Sequence, residues 1–347
     1  MSLESSTYKD RLRLMTDSLS EKAVGTQNNE LANRTLATEP CRGTVRSMEP
    51  VLSETLAERL FSGDSFAFGF GMQRPRQEWF GWDDPRQETL QDRHHWLSQE
   101  PQRHLAWTDE ASPVLLEALA LFPNPPFPTE SFPHPDSQPD GLLKSLSLNW
   151  EPDLLLLRRD ASGQFRLVAG AVCFPSAWDL HEKLGKTVDA IHADVPTLNA
   201  TLGARIRTFL DRLQPGQTFE RDNWGLAAHG ERNAHPDRNL PRLTADATLD
   251  TTWLRLEHQA FRALPNSGGL LFAIHLTVHP LERVLQAPAA RDQLATQLRS
   301  MPEAIAAYKG ILPARDRLVR LLETDSPLPR KQPSISPRRS GIGPECV

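Results

Sequence analysis

Residues 252–260 read TWLRLEHQA, and this segment indicates the fold class. Successive side chains of a β-strand point to opposite faces of a sheet, so Leu254 and Leu256 share one face, which we expect to cover a core. The opposite face carries Trp253, Arg255, Glu257 and Gln259. Two interpretations of that polar face are open. It is the wall of a polar pocket, or it is a solvated surface on which Arg255 and Glu257 form a weak ion pair.

Four more segments of strand length surround this one, at residues 154–158, 165–172, 219–226 and 269–278. Turn-forming residues join the first two at 160–163 (DASG) and precede the last at 264–268 (LPNSG). Consecutive hairpins predict an antiparallel sheet. Helical patterns at residues 176–185 and 198–213 fall between the second and third strands. The sequence therefore predicts an α+β fold in which helices are inserted into an antiparallel sheet.

The regions outside the sheet are predicted to be helical or irregular. Helical composition occurs at residues 84–107, 112–122 and 302–322, and the proline-rich residues 122–140 are expected to form an irregular connection. The prolines, serines and threonines near both ends predict loose structure there. The predicted organisation is an N-terminal extension over residues 1–60, disordered or loosely structured, one domain over residues 61–322 and a disordered tail over residues 323–347.

Composition and charge argue against several functional classes. The 347 residues include 39 Lys and Arg against 44 Asp and Glu, with no long basic block, which disfavours nucleic acid as the main partner. No run of about 18 to 20 apolar residues is present, and the N-terminus lacks a secretory pattern, so we expect a soluble, cytoplasmic protein that does not bind a membrane. Cys41, Cys173 and Cys346 form no CxxC pair, which disfavours structural zinc and covalently attached haem.

Two other segments contain candidate binding residues. Arg221 and Asn223 fall on one face of a predicted strand, where a guanidinium and an amide could bind a carboxylate. Trp224, next to them, fits a core anchor. His192 lies between an apolar residue and a proline-containing loop, so it is expected to be held in place, either as a hydrogen-bonding residue or as a ligand. The chain has no dinucleotide fingerprint, P-loop or G-x-S-x-G motif.

Six short motifs occur in a characteristic order: residues 182–185 (EKLG), 191–196 (IHADVP), 221–224 (RDNW), 255–259 (RLEHQ), 264–268 (LPNSG) and 308–310 (YKG). Together they resemble the haem-dependent oxidative N-demethylase family, which includes the α subunit of dimethylamine monooxygenase. The resemblance extends over residues 66–312. Each motif alone is weak, and the order and spacing of all six make the resemblance fairly specific.

The resemblance implies a PAS-like domain that binds b-type haem without a covalent link. It implies oxidative removal of a methyl group from a small alkylamine, with release of formaldehyde. Electrons would come from NADPH through separate reductase subunits, which agrees with the absence of a nucleotide motif in this chain. The implied partners are therefore a dimethylamine-like substrate, O2 and electron-transfer subunits.

The resemblance also assigns roles to candidate residues. His192 becomes the leading candidate for the axial ligand of the iron. Arg221, Asn223, Arg255 and Lys183 are the candidate cofactor-binding residues, with the two arginines directed toward the haem propionates. Glu257 is the candidate catalytic residue, because its carboxylate could attract a cationic amine. These last roles are inferred from charge and from the faces of the strands.

Four positions depart from the family pattern: Asp194, His258, His275 and Thr277. They leave a second hypothesis open, in which the chain is a PAS-like sensor or binding module for haem or a small ligand, without turnover. A third possibility is a scaffold whose pocket is filled by side chains. The visible spectrum of the purified protein would distinguish haem-binding alternatives from this third one.

Overall fold

The computed structural model describes residues 54–61, 63–75, 87–121, 139–287 and 289–324. This part of the chain contains six β-strands and twelve α-helices, so the α+β prediction is confirmed. The strands form one open antiparallel sheet in the order β1-β3-β2-β6-β5-β4. Their bounds are β1 Leu105–Trp107, β2 Asp153–Arg159, β3 Phe165–Ala171, β4 Thr218–Ala227, β5 Trp253–Ala263 and β6 Leu270–Pro280.

Helices precede, interrupt and follow the strands. The first five are α1 Glu54–Phe61, α2 Gln87–Gln99, α3 Pro101–His104, α4 Ser112–Ala120 and α5 Pro139–Asn149. Three follow β3, namely α6 Leu180–Lys183, α7 Val188–His192 and α8 Ala204–Arg212. The last four are α9 Leu281–Val284, α10 Ala290–Ser300, α11 Glu303–Tyr308 and α12 Arg315–Thr324. None of the described helices has both the length and the apolar run that a bilayer crossing requires.

The two faces of the sheet are covered by different helices. On one face Trp224, Leu254 and Leu256 pack with apolar residues of α1 and α9–α12. On the other face Leu155 and Phe261 pack with apolar residues of α6–α8. The alternation predicted for residues 252–260 is thus confirmed, because Arg255 and Glu257 lie on the face toward α6–α8. The polar face is a covered surface.

The five predicted strands are present with ends displaced by only a few residues, and β1 was missed. The segment predicted as helix over residues 84–107 ends instead in strand β1, which pairs with β3. Residues 122–138 of the predicted irregular connection lie outside the described residues. So do both predicted loose ends, apart from helix α1 and from residues 323–324, which are the last two of helix α12. Ala57 and Phe61 of α1 are buried in the core.

Three predicted helices are shorter or interrupted. Residues 176–185 contain a helix only at Leu180–Lys183, capped by Asp179, because Ser176 forms a β-bridge with Ala234. The helix predicted over residues 198–213 begins with a π-helical turn, Asn199–Gly203. The helix predicted over residues 302–322 is divided near Gly310, whose φ of 67° is left-handed and favours glycine. In each case a contact or turn that the periodic pattern does not indicate shortens or interrupts the helix.

A buried ion pair fixes the start of β2 and the end of β3. Arg93 of α2, which is fully buried, donates to Asp153 Oδ1 at 3.0 Å and to the Ser147 hydroxyl at 3.0 Å. The Asp153 carboxylate also accepts the backbone N–H groups of Cys173 and Phe174, at 2.8 and 3.0 Å. The pair therefore holds the loop after β3, from which Ser176 reaches the polar face of the sheet.

We expect Arg93→Met to lower the free energy of unfolding by about 3 to 5 kcal/mol, because it leaves the Asp153 carboxylate buried without its cation. Urea unfolding measures this loss. The matched control is Arg317→Met on the exposed side of α12, where we expect a change of at most about 0.5 kcal/mol. Equal losses in the two variants would show that the buried pair contributes no special stability.

Candidate functional site

Glu257 is the centre of a hydrogen-bond network on the covered polar face. The Ser176 hydroxyl donates to Oε1 at 2.8 Å. The side-chain amides of Asn223 and Gln259 donate to Oε2 at 3.1 and 2.8 Å. Asn223 is directly opposite Glu257 in the β4–β5 register, which explains this contact. Donors from a loop and two strands therefore hold the carboxylate in one orientation.

Arg255 is buried and contacts protein oxygen atoms. Its Nη1 donates to the carbonyl of Glu231 at 2.6 Å, and its Nη2 donates to the carbonyl of Arg232 at 2.8 Å and of Pro175 at 3.3 Å. Its Nε lies 3.3 Å from the Ser176 hydroxyl. Burial lowers the pKa of Arg255 to about 10, against the opposing effect of Glu257. Arg255 thus joins β5 to two loops.

Arg221 lies on the same face as Arg255 but has different surroundings. Its Nε is buried and has no hydrogen-bond partner among the described residues. Burial lowers the pKa of Arg221, and the charges of Glu257 and Asp222 oppose this effect. A buried donor without a partner is costly, so it marks a position where a ligand would supply the missing acceptor.

His192 is the last residue of α7 and is partly buried. Its Nδ1 is a second buried atom without a hydrogen-bond partner within the described ranges. Burial lowers the pKa of His192, and the nearby charge of Arg221 lowers it further. The imidazole is therefore neutral at pH 7, and a neutral imidazole has the free lone pair that a metal ligand needs.

The backbone around His192 is fixed by contacts to Asp189. Asn199 Nδ2 donates to the Asp189 carbonyl at 2.8 Å, and Arg207 Nη1 donates to the Asp189 carboxylate at 2.8 Å. Asn199 begins the π-helical turn that leads into α8. Such turns are frequent at functional sites. These contacts fix the first turn of α7, at whose end His192 lies.

Lys183 and Asp194 form an ion pair at the rim of the site. Asp194 is one of the four positions that depart from the family pattern. The Lys183 hydrogen bond lowers the pKa of the Asp194 carboxyl. The half-exposed Tyr308 interacts electrostatically with both residues and with Glu257, which connects the rim to the network.

Lys309 was missed as a site residue, although it lies in the motif of residues 308–310. Its Nζ donates to the backbone carbonyl of Trp224 on edge strand β4 at 2.7 Å. Burial lowers the pKa of Lys309 to about 8; the charge of Glu257 opposes this shift and that of Arg221 adds to it. The motif of residues 308–310 was the sequence signal available for Lys309. The contact of the Lys309 side chain with β4 depends on the tertiary fold.

Apolar and aromatic side chains border the polar network. Phe261 and Phe272 stack on the sheet with ring centroids 4.4 Å apart. An open groove beside them is lined by Phe70, Phe209 and Phe219, together with Arg205 and other residues of α8. Phe219 precedes Arg221 by two residues and shares its face. The site thus combines flat apolar surfaces with cationic groups.

The other three departures lie on the opposite face of the sheet. His258 is 2.8 Å from Asp222, His275 Nε2 is 3.2 Å from Glu151, and Thr277 contacts His279. His258 pairs with Asp222 and His275 in the strand register, so these side chains point away from Glu257. Their effect on the polar network is therefore indirect, and they give no specific support to a site without turnover.

The structure brings most of the predicted site residues together. Asn223 and Glu257 are in direct contact, and electrostatic interactions link Arg221 to Glu257 and to His192. Lys183 lies at the rim. The predicted ion pair between Arg255 and Glu257 is replaced by a shared contact with the Ser176 hydroxyl. Ser176 and Gln259 had no sequence signal for this role beyond their strand or loop positions.

A family model described as haem-dependent oxidative N-demethylase, alpha subunit-like, matches residues 121–319. The match covers more than half of the chain, and the chain belongs to this family. Membership supports an oxidoreductase that performs oxidative N-demethylation and depends on haem. The words "alpha subunit-like" also imply an assembly with partner subunits.

The described residues fit a haem group. Within them, no cluster of three or more His, Cys, Asp or Glu side chains forms a metal site. Haem iron requires only one or two protein ligands, because the porphyrin supplies the others. His192 offers an unpartnered imidazole nitrogen, Arg221 offers an unpartnered donor, and the aromatic groups offer flat apolar surface.

The contacts of the two arginines predict effects of different size on the free energy of unfolding. We expect Arg255→Met to lower the free energy of unfolding by about 3 kcal/mol or more, because it leaves buried carbonyl groups without donors. Arg221→Met, the matched control on the neighbouring strand, should change it by less than about 1 kcal/mol, because no protein partner of Nε is lost. Denaturant unfolding of the protein without added haem measures both. A larger loss of unfolding free energy for Arg221→Met than for Arg255→Met would contradict this difference between the two arginines.

Proposed function

We propose, from membership of this family and from the geometry of the site, that the chain is the haem-binding subunit of a monooxygenase that demethylates a small alkylamine. The proposed substrate is dimethylamine-like, and formaldehyde is the proposed second product. The observation that carries the proposal is the group formed by His192, Arg221 and Glu257. Among the described residues the imidazole Nδ1 and the guanidinium Nε have no hydrogen-bond partner, and the carboxylate is fixed by its donors.

The haem would be b-type and held without a covalent link. His192 would ligate the iron, and Arg221 would bind a propionate through the donor that lacks a protein acceptor. Asn223 and Lys183 line the same region. Arg255 supports the site indirectly, because its donors already contact backbone carbonyls. When bound, haem would supply the O2 chemistry that oxidises the N-methyl carbon.

Glu257 would bind the amine. Dimethylamine is protonated at neutral pH, and a carboxylate that accepts one of its N–H groups makes a charge-assisted hydrogen bond. Ser176, Asn223 and Gln259 hold the carboxylate in place, so the amine nitrogen is oriented without movement of the side chain. The apolar side chains of α7 and α8 would limit the access of water.

Electrons would come from NADPH through a partner reductase. The chain has no dinucleotide or flavin fingerprint, so a separate protein must deliver reducing equivalents. This division of labour agrees with a family described as alpha subunit-like. We also propose that the domain has a PAS-like fold and that the protein is cytoplasmic.

The ligand assignment predicts a change in the visible spectrum. Reconstitution of the wild-type protein with haem should give a Soret band, and His192→Ala should remove or shift it, because the axial imidazole is lost. The matched control is His181→Ala, an exposed histidine of α6, which should leave the band unchanged. An unaltered spectrum in His192→Ala would assign the iron to another residue, and a wild-type protein that acquires no Soret band would reject haem binding.

The substrate assignment predicts an effect of Glu257→Gln on amine binding. Loss of the charge should weaken dimethylamine binding roughly tenfold or more, because hydrogen bonds to charged groups contribute about 1.5 to 3 kcal/mol. The haem spectrum should be nearly unchanged. Titration of the ferric haem protein with dimethylamine measures the affinity.

The matched control is Glu220→Gln, on the opposite face of adjacent strand β4. Equal affinities in wild type and both variants would remove Glu257 from the substrate site. A wild-type haem protein that binds no amine would contradict the demethylase proposal for this chain and favour the sensor hypothesis.

A further inference from the structure

Helix α7, which carries His192, is too short to be fixed by its own hydrogen bonds. It has five residues, and none of its side chains is fully buried. Isolated helices of this length are not stable in water, so contacts with other elements decide where α7 lies. Its N-terminal end is attached to the sheet, because the N-cap Thr187 forms a β-bridge with Arg166 of β3. The orientation of the helix beyond that end depends on a second attachment.

Asn199 supplies the second attachment. Its side-chain Nδ2 donates to the backbone carbonyl of Asp189, ten residues earlier in the chain, at 2.8 Å. A carbonyl only accepts hydrogen bonds, so this contact also fixes which end of the Asn199 amide faces α7. Asp189 lies three residues before His192, and residues at this spacing lie on the same side of a helix. The Asn199 amide therefore contacts the turn of helix that ends at His192.

The chain adopts two unusual backbone conformations where it brings Asn199 to α7. Thr197 has a φ of 62°, in the left-handed region, which is rare for a β-branched residue. Asn199 then begins the π-helical turn Asn199–Gly203. Strained backbone persists where surrounding contacts fix it, and both features are concentrated at functional sites. The position of Asn199 is thus maintained at a cost in local conformation.

Arg207 adds a weaker contact to the same residue of α7. Its Nη1 donates to the Asp189 carboxylate at 2.8 Å, but both side chains are exposed, and an exposed ion pair contributes little to stability. Gly203 leaves the space for both contacts. A Cβ at Gly203 would lie 3.3 Å from Arg207 Nη1 and 3.7 Å from Asn199 Cβ. Of the two contacts with Asp189, the partly buried hydrogen bond of Asn199 is the stronger one.

We propose that Asn199 is a positioning residue for His192, and that its amide holds α7 in the orientation that presents the imidazole to the haem iron. Asn199 acts through the backbone of Asp189 and does not itself touch the cofactor. A ligand that is already held in its bound orientation loses less freedom when it binds, so its bond to the metal is favoured. This inference rests on the proposed function, in which His192 ligates the iron, and names the residue that supports that ligand.

The first test is the rate at which the ferric haem protein loses its haem to excess apomyoglobin. We expect Asn199→Ala to speed this loss roughly three- to tenfold, the factor that corresponds to the net contribution of one hydrogen bond. Arg207→Met should speed it about twofold or less, because its ion pair is exposed. The matched control is Asn149→Ala. Asn149 Nδ2 donates to the Ser145 carbonyl in α5 at 2.9 Å, and this variant should lose haem at the wild-type rate.

A second measurement separates positioning of the ligand from general stability. Electron paramagnetic resonance of the ferric haem protein reports the orientation of the axial imidazole. We expect Asn199→Ala to shift or broaden the g values, and Asn149→Ala to leave them as in wild type. Asn199→Asp, which places a carboxylate oxygen against the Asp189 carbonyl, should have the larger effect. Melting temperatures of the haem-free proteins identify a variant that fails to fold, in which case the other substitution at Asn199 gives the result.

Two results would overturn the inference alone, with His192→Ala still altering the haem spectrum. One is equal rates of haem loss and equal g values in Asn199→Ala and Asn149→Ala. The other is faster haem loss from Asn199→Ala with unchanged g values, which would assign Asn199 to general stability. If His192→Ala leaves the g values unchanged, the ligand assignment of the proposed function fails, and the inference fails with it. Wild-type protein that binds no haem would reject the proposed function itself.

Discussion

The buried guanidinium of Arg255 is the contact on which the geometry of the site depends. It binds carbonyl groups at Pro175, Glu231 and Arg232, so it joins strand β5 to the loop after β3 and to the loop after β4. Pro175 lies 80 residues from Arg255 in the chain, and Glu231 and Arg232 lie 24 and 23 residues from it. These contacts of Arg255 also place the Ser176 hydroxyl 2.8 Å from Glu257, which lies two residues further along β5. A change at Arg255 would therefore be transmitted to the carboxylate.

Much of the fold could be predicted from alternation and turn chemistry. Strand β5 was recognisable because Leu254 and Leu256 alternate with charged residues, and the antiparallel arrangement followed from short turns. Strand β1 could not be recognised, since three residues carry too little periodicity and form a strand only by pairing with β3. Its register depends on tertiary structure.

The error at residues 176–185 has a specific physical reason. Ser176 fits a helix N-cap by local rules, because its hydroxyl could accept a backbone N–H. In the structure that hydroxyl contacts Glu257 and Arg255, and Asp179 caps the shorter helix. These partners lie about 80 residues away in the chain, so no local pattern could indicate them. Long-range contacts also explain why Lys309 was missed.

The candidate site was predictable in part because strand faces can be derived without a structure. The alternation of side chains along a strand places Arg221 with Asn223 and Arg255 with Glu257. The β4–β5 register then puts all four on one face of the sheet. Alternation could not show that the two arginines differ in their hydrogen-bond partners. That difference depends on the loops, which supply carbonyl partners to Arg255.

The buried and half-buried cations therefore fall into two groups with different physical roles. Arg93 and Arg255 have carboxylate or carbonyl partners from several elements, and their charge stabilises the fold. Arg221 and Lys309 have few or neutral contacts, so the folded chain bears part of the cost of removing them from water. Such a cost is offset when a ligand supplies the missing negative charge. Arg221, in the second group, lies on the face of the sheet that carries Glu257 and interacts electrostatically with His192, which is why we propose that face for the chemistry of this protein.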